Sequence, residues 1–336
     1  MFLKRRENSL NIALIGAGSH ARRIIIPTLL FLGARISIVV DPDIEAGEFI
    51  SNQFNCTYLK TVDEIKDIHL IDSFIVVTPP STHSDVIKQL SFHKKPIFIE
   101  KPSGVNAQEI SESIKICEEQ KVFIQVGFMK RFAPVYNQSF QIVRKWDDLS
   151  IQGRVLTGPY SSNLDFLLDV GIHYIDLMYH FLGNIEKVVV KKSGNSHLSN
   201  WHLIFSNQHS MVASLVLCPN CTWGNPGESF WFQGNGQSIT VKNLSEFSLH
   251  KKGREERKDD YYKNLDKNSS LSWKSNLTST GLINHSVYLQ GYLGELESFL
   301  QTARFHINPK VDLNDALKAV TLIEKMLIGE GELLCL

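Results

Sequence analysis

The stretch Asn11-Ile12-Ala13-Leu14-Ile15-Gly16-Ala17-Gly18-Ser19-His20-Ala21 decides the reading of the fold. Its first five residues form a short apolar run of the buried-strand kind, and the glycines turn that run directly into a helical stretch ending near Leu32. The pattern Gly-x-Gly-x-x-Ala at a strand-to-helix turn is a dinucleotide-binding signature. Gly16 permits the tight turn, Gly18 lets the backbone approach a pyrophosphate, and Ala21 allows the helix to pack closely on the strand. Ser19 and His20 lie in the phosphate loop, where the helix N-terminus offers free N–H groups. His20 reads as a polar side chain tolerated beside the cofactor. A second strand-like run, Arg35 to Val40, ends at Asp41, the position for a carboxylate that holds the adenosine ribose. Asp41 is followed by Pro42-Asp43 and not by arginine, so a 2′-phosphate would meet negative charge and NAD is expected over NADP.

Strand–helix alternation continues. Ile44 to Phe54 reads as a helix, Val62 to Lys66 as a short one, and Ile71 to Val77 as an apolar strand of the parallel kind. Thr78-Pro79-Pro80-Ser81-Thr82-His83 then leaves that strand at the carboxyl edge of the sheet, where open α/β folds bind ligands, so Thr78 and Pro79 are assigned to the cofactor. His83 is either a cofactor-side loop residue or a polar group in the first turn of a helix, and its place after Ser/Thr favours the second. Pro96 to Ile99 is another strand, delivering Glu100-Lys101-Pro102 to the same edge. A lysine there, beside a cofactor whose oxidised ring is cationic, is placed to donate hydrogen bonds; the plainer reading is a surface lysine at a strand end. Asn106 to Gln120 is amphipathic, and Val122 to Gly127 completes a six-strand sheet and a first domain, 1–127.

In residues 128–336 the densest chemistry lies in Leu168-Asp169-Val170-Gly171-Ile172-His173-Tyr174-Ile175-Asp176. Read as a helix, it sets Asp169 one turn before His173 and Asp176 one turn after, so an imidazole can lie between two carboxylates on one face. The surrounding residues are apolar, so the helix is expected to be buried, and a buried polar group needs a partner or a role. Gly171 is a poor helix former, which makes sense if a planar cofactor ring approaches the backbone there. The plainer reading is a core histidine satisfied by Asp169.

Taken together, the Gly-x-Gly-x-x-Ala turn, Thr78-Pro79-Pro80, Glu100-Lys101-Pro102, Val126-Gly127-Phe128 with Arg131-Phe132, Asp169-x-Gly171-x-His173-x-x-Asp176 and Gly291-Tyr292-Leu293-Gly294-Glu295-Leu296-Glu297-Ser298-Phe299 resemble the glucose-fructose oxidoreductase and inositol dehydrogenase family (Gfo/Idh/MocA) over nearly the whole chain. The resemblance implies an N-terminal Rossmann doubly wound parallel sheet and a C-terminal α/β domain with an open, mainly antiparallel sheet, which carries homo-oligomer contacts in relatives. It also implies a cleft between the domains, the catalytic set Lys101, Asp169 and His173, and a sugar, sugar nucleotide or cyclitol as substrate. In this family the peptide bond before Pro102 is often cis. The chain departs from the pattern at Ser161-Ser162-Asn163-Leu164-Asp165-Phe166, where many relatives have a glycine-rich run, and this leaves the substrate loop unassigned. Two rival functions remain open: an imine reductase using the same lysine and histidine, and a sensor that binds NAD without turnover.

Composition agrees with small-molecule chemistry. The 336 residues carry 35 Lys plus Arg against 35 Asp plus Glu, a zero balance that lacks the electrostatic footprint of a nucleic-acid or anionic-membrane binder. Met1 to Glu7 is basic, but the apolar run after it ends in the glycine turn and does not read as a signal peptide. No apolar run reaches membrane-spanning length. Five cysteines, odd and sparse, suit a reducing cytoplasm. Cys218-Pro219-Asn220-Cys221 follows a strand and has no second pair, so neither a redox role nor a metal site is expected. Runs between Glu186 and His250 read as strands of the second sheet. From Lys251 to Ser286 the composition is that of a solvated loop. The sequon at Asn276-Leu277-Thr278 carries no weight without secretion. Two helices, Gly291 to Ala303 and Leu313 to Ile328, close the chain, the second capped at Asp312.

Overall fold

A computed structural model describes residues 9–194, 197–209, 211–251, 269–275 and 282–334. The basic Met1 to Glu7, the Asn276 sequon and part of the 251–286 segment lie outside the described residues. The chain packs as two units: the first runs to Met129 and includes Gly291–Thr321, and the second runs from Lys130 to Gln290 and resumes at Leu322.

In the first unit, six parallel strands are β1 (Asn11–Ile15), β2 (Arg35–Val40), β3 (Thr57–Leu59), β4 (Ser73–Val76), β5 (Ile97–Glu100) and β6 (Ile124–Gly127), in the order β3-β2-β1-β4-β5-β6. The central strands are short apolar runs because helices cover both faces of such a sheet; every residue of β4, β5 and β6 is buried. The order reverses at β1, between β2 and β4, which makes the loops after β1 and β4 the edge of a ligand crevice. The helical stretch after the glycine turn begins with a π-helical turn, Ala21–Ile25, before regular helix Ile26–Phe31.

Sequence division at residue 127 assigns the penultimate helix to the second domain, whereas the chain packs Gly291–Thr321 with the first unit. The cause is burial. Phe299 packs on Phe98 of β5 with ring centroids 5.7 Å apart, the Gln125 side chain donates to the Glu295 carbonyl at 2.8 Å, and the Val126 N–H donates to the Val311 carbonyl at 3.2 Å. Leu296 and Phe299 are fully buried in this core.

The second unit is built on a nine-stranded sheet. Its strands are β7 (Ser150–Leu156), β8 (Ile185–Gly194), β9 (Ser199–Asn207), β10 (Val212–Cys218), β11 (Gly227–Gly234), β12 (Gln237–Lys242), β13 (Glu246–Lys251), β14 (Ser269–Lys274) and β15 (Gly331–Leu334), in the order β14-β13-β12-β11-β7-β10-β9-β8-β15. The pairing is antiparallel except between β7 and β10, where Ser150 to Leu156 align in parallel with Val212 to Cys218. Inward residues such as Val155, Trp201, Phe205, Leu215, Phe230 and Phe232 are buried, and the helices Pro134–Val143 and Ile172–Leu182 pack on that side. The expected 251–286 loop contains a strand: β14 pairs with β13 so that Trp273 stands opposite Phe247 and Leu271 opposite Leu249. Its two apolar residues alternate with serines, a strand signal that the polar composition masks.

Candidate active site

Asp41 closes the glycine loop from the neighbouring strand. Its Oδ2 accepts from the Ala17 N–H at 2.6 Å and its Oδ1 from the Asp43 N–H at 2.9 Å. Gly16 has φ +102°, and a Cβ on it would stand 2.5 Å from the Val77 carbonyl oxygen, so the close approach of this loop to the end of β4 requires glycine. Gly18 and Ser19 are exposed, and a Cβ on Gly18 would meet nothing within 4 Å. An open space above bare backbone, flanked by the Asp41 carboxylate, fits a dinucleotide: Gly16 to Ser19 would hold the pyrophosphate and Asp41 the ribose.

The ends of β4 and β5 are tied to one another and to this loop. His83 begins the helix His83–Ser91, as its position after Ser/Thr suggests, yet it is fully buried: Nδ1 lies 2.8 Å from the Pro102 carbonyl oxygen and Nε2 2.8 Å from the Thr78 carbonyl oxygen. Burial lowers its pKa, while the two carbonyls and Glu100 pull the other way. A neutral ring donates to only one of the carbonyls. Thr82 Oγ1 donates to the Pro79 carbonyl at 2.8 Å and lies 2.9 Å from Thr78 Oγ1, completing the turn. Glu100 accepts from the Lys101 N–H at 3.2 Å through Oε2, and its Oε1 lies 3.0 Å from His20 Nε2. His20 is therefore more than a tolerated loop residue, for it links the phosphate loop to Glu100 and packs on Tyr292 at 5.6 Å. The Lys101–Pro102 peptide is cis, and Lys101 is half-buried.

In the second unit the Asp169 and His173 segment is helical, but Leu167–Gly171 is a π-helical turn inserted before the regular helix Ile172–Leu182. Such turns concentrate at functional sites. Asp169 is exposed and accepts from the Tyr160 hydroxyl at 2.8 Å; burial and this carboxylate raise the tyrosine's pKa, so it remains the donor. His173 is 6% exposed. One expectation changes here and another gains a partner. The space beside Gly171 is taken by protein rather than left for a cofactor: a Cβ on it would stand 2.9 Å from Leu167 Cδ2, one turn earlier in the same helical stretch, and in ordinary contact with Leu217 Cδ1 at 3.5 Å, so it is the Leu167 side chain that keeps this residue small. Asp176, expected as a second carboxylate for His173, accepts from Arg131 Nε at 2.7 Å through Oδ2 and from Nη2 at 2.5 Å through Oδ1.

The residue before Arg131 anchors the same helix from another side. Lys130 donates to Glu228, which also accepts from the Tyr136 and Tyr174 hydroxyls at 2.5 Å each, and the ammonium lies 4.8 Å from the Tyr174 ring centroid. Burial, then the Glu228 charge, pushes both phenols well above their ordinary pKa and keeps them as donors. Sequence reading missed this cluster because Glu228 is separated from Lys130 by 98 positions and from Tyr174 by 54. Only the resemblance pointed to Arg131, and nothing local marked Tyr160. Among the described residues no group of three or more His, Cys, Asp or Glu could hold a metal ion, and Cys218 and Cys221 are free thiols. No helix among them is long and apolar enough to cross a membrane.

Comparison with known proteins bears on these residues. Residues 10–128 match the model of the oxidoreductase family with an NAD-binding Rossmann fold, GFO_IDH_MocA. An inositol 2-dehydrogenase of Rhizobium meliloti (strain 1021) is 31% identical over 163 residues, covering 45% of this chain and 48% of the relative. A 2,7-anhydro-N-acetylneuraminate hydratase of Escherichia coli (strain K12) is 25% identical over 228 residues, 63% of this chain and 59% of the relative. The chain thus spans about half the length of the curated relatives it matches. A levoglucosan dehydrogenase solved with NADH shares the fold over 98% of this chain and 100% of that one, with a TM-score of 0.79 at 14% identity.

Proposed function

We propose that this chain, whose residues 10–128 match the Gfo/Idh/MocA oxidoreductase family model, moves a hydride between NAD and a secondary alcohol or ketone of a sugar, sugar nucleotide or cyclitol. When bound, NAD supplies the hydride acceptor. The protein must then manage the alcohol's proton and oxygen. His173, a residue type that titrates near neutrality, takes the hydroxyl proton in oxidation and returns it in reduction. Asp169 orients the imidazole or a neighbouring substrate hydroxyl. Lys101 donates a hydrogen bond to the reacting oxygen, polarising it.

The observation that supports this reading best is a division of labour on one helix. Asp176 and Tyr174 are spent on anchoring to Arg131 and Glu228, while Asp169, one turn before His173, stays exposed. Screening NAD reduction against cyclitols, sugars and nucleotide sugars tests the proposal; turnover of any of them supports it and excludes a sensor, and inertness towards all of them contradicts it. The hydratase relative favours one second reading, a hydration without net oxidation, which converts substrate with no accumulation of NADH.

A homo-oligomer through the nine-stranded sheet belongs to the same proposal. That sheet carries Ile204, 50% exposed, and Trp231, 37% exposed. Light scattering of wild type and Trp231→Glu tests it: an assembly that dissociates in the variant supports the sheet contact. A cytoplasmic setting is proposed from the sparse cysteines, which are free thiols among the described residues.

A further inference from the structure

We infer that Tyr160 and Trp223 form an aromatic platform that takes the apolar face of a sugar or cyclitol ring beside Asp169 and so favours cyclic over open-chain polyols. This rests on the oxidoreductase reading of Asp169. The two residues lie in the loops that follow β7 and β10, whose ends, Leu156 and Cys218, are partners in the one parallel pair among the sheet's described strands. Trp223 is 57% exposed, yet its loop is fixed: Asn220 Nδ2 donates to the Leu198 carbonyl, the Cys221 N–H to the Thr157 carbonyl at 3.0 Å, and the Gly224 N–H to Thr222 Oγ1 at 3.1 Å. The indole lies on the bare backbone of Gly158, where a Cβ would stand 2.3 Å from its ring atoms.

Tyr160 completes the surface. Its ring centroid is 5.6 Å from that of Trp223, with planes tilted by 49°, and buried Phe166 backs it at 5.4 Å. The hydroxyl donation to Asp169 sets the ring's orientation beside a carboxylate, a group that accepts from hydroxyls. Large aromatic rings held at a folded surface expose area that folding otherwise removes from water, and binding sites for small molecules join such rings to a few placed polar groups. A pyranose or cyclitol chair matches both parts: its C–H bonds line a flat face that packs on π-systems, and its hydroxyls point outward to a carboxylate. An open-chain polyol has no such face. The Cys218-Pro219-Asn220-Cys221 run, idle in the proposed chemistry, here serves as the base of the Trp223 loop.

The test uses full-length protein with NAD and three probes: myo-inositol, D-glucose and the open-chain sorbitol. Calorimetric affinities and steady-state constants are measured for wild type, Trp223→Ala, Trp223→Phe and Gly158→Ala, with melting curves and NAD affinity as controls. Trp223→Ala is expected to weaken binding of the better ring about tenfold, the loss falling in KM rather than kcat, while sorbitol and NAD are unaffected. Trp223→Phe should restore most of the affinity, and Gly158→Ala, which displaces the indole without altering it, should reproduce the loss. Ring affinity equal in wild type and Trp223→Ala, equal losses for rings and sorbitol, or no ring binding by wild type overturns the platform. Trp223-dependent ring binding without turnover of any substrate in the wider panel would remove the oxidoreductase reading and leave the platform; turnover with a KM insensitive to Trp223 would do the reverse.

Discussion

His83 and Pro102 are joined at 2.8 Å through the buried imidazole Nδ1 and a backbone carbonyl, and Nε2 of the same ring reaches Thr78 at the same distance. One side chain therefore spans the ends of β4 and β5, next to Lys101. Burial, the largest influence, lowers the pKa of His83 below the ordinary 6.5, so the unfolded chain binds the proton more readily than the folded one. Stability conferred by the neutral ring is present above about pH 6.5 and falls as pH drops from there towards the lower folded value. Denaturant unfolding between about pH 7.5 and pH 5.5 should show this decline in wild type and a shallower one in His83→Gln. His93, lowered by its own partial burial, contributes in the same direction and is unchanged in that variant.

Asp41 is expected to serve the cofactor in two ways, by fixing the Ala17 N–H and by repelling a 2′-phosphate. Titration of wild type should give tighter NAD than NADP binding. Asp41→Ala should lose about tenfold or more in NAD affinity, the value of a hydrogen bond to a charged group, and should narrow the preference. Tighter NADP binding by wild type would contradict the assignment.

Glu228 gathers Lys130, Tyr136 and Tyr174 where little water reaches, the Lys130 and Glu228 side chains being 8% and 9% exposed. Removing one partner leaves a buried charge unmatched, so Glu228→Ala should lose about 3–5 kcal/mol of stability. Lys130→Met combined with Glu228→Leu should recover much of that loss. Denaturant melts of the two singles and the double would measure both effects.

Cys218 and Cys221 should be dispensable as thiols. Burial raises the Cys218 pKa, which disfavours the reactive thiolate, and the loop is held by the Cys221 backbone N–H rather than by sulfur. The double Cys→Ser variant should keep wild-type turnover and melting. Activity that tracks thiol oxidation, or stoichiometric zinc in the purified protein, would contradict this.

The first unit was legible because its chemistry is local. Gly16, Asp41, Thr78 and Lys101 each end or follow a short apolar strand, and strand ends converge once the sheet is parallel. Where sequence reading failed, the determinants were distant or masked. Asp176 also pairs with Arg131 at a separation of 45 positions, Lys130 pairs with Glu228 across 98, and β14 hides its alternation among serines. The helix Tyr292–Phe305 is late in the chain yet joins the first core, because that core needs Leu296 and Phe299 to cover it. Periodicity reveals that a face is apolar, not which sheet it covers.

The catalytic proposal is tested most directly by His173→Ala, with turnover per folded molecule, thermal melting and NAD affinity measured on the same samples. Loss of general acid–base assistance should lower kcat by about 10² to 10⁴ while NAD binds as in wild type. A protein that melts earlier but turns over at the wild-type rate would show that His173 is a core residue and contradict its catalytic role.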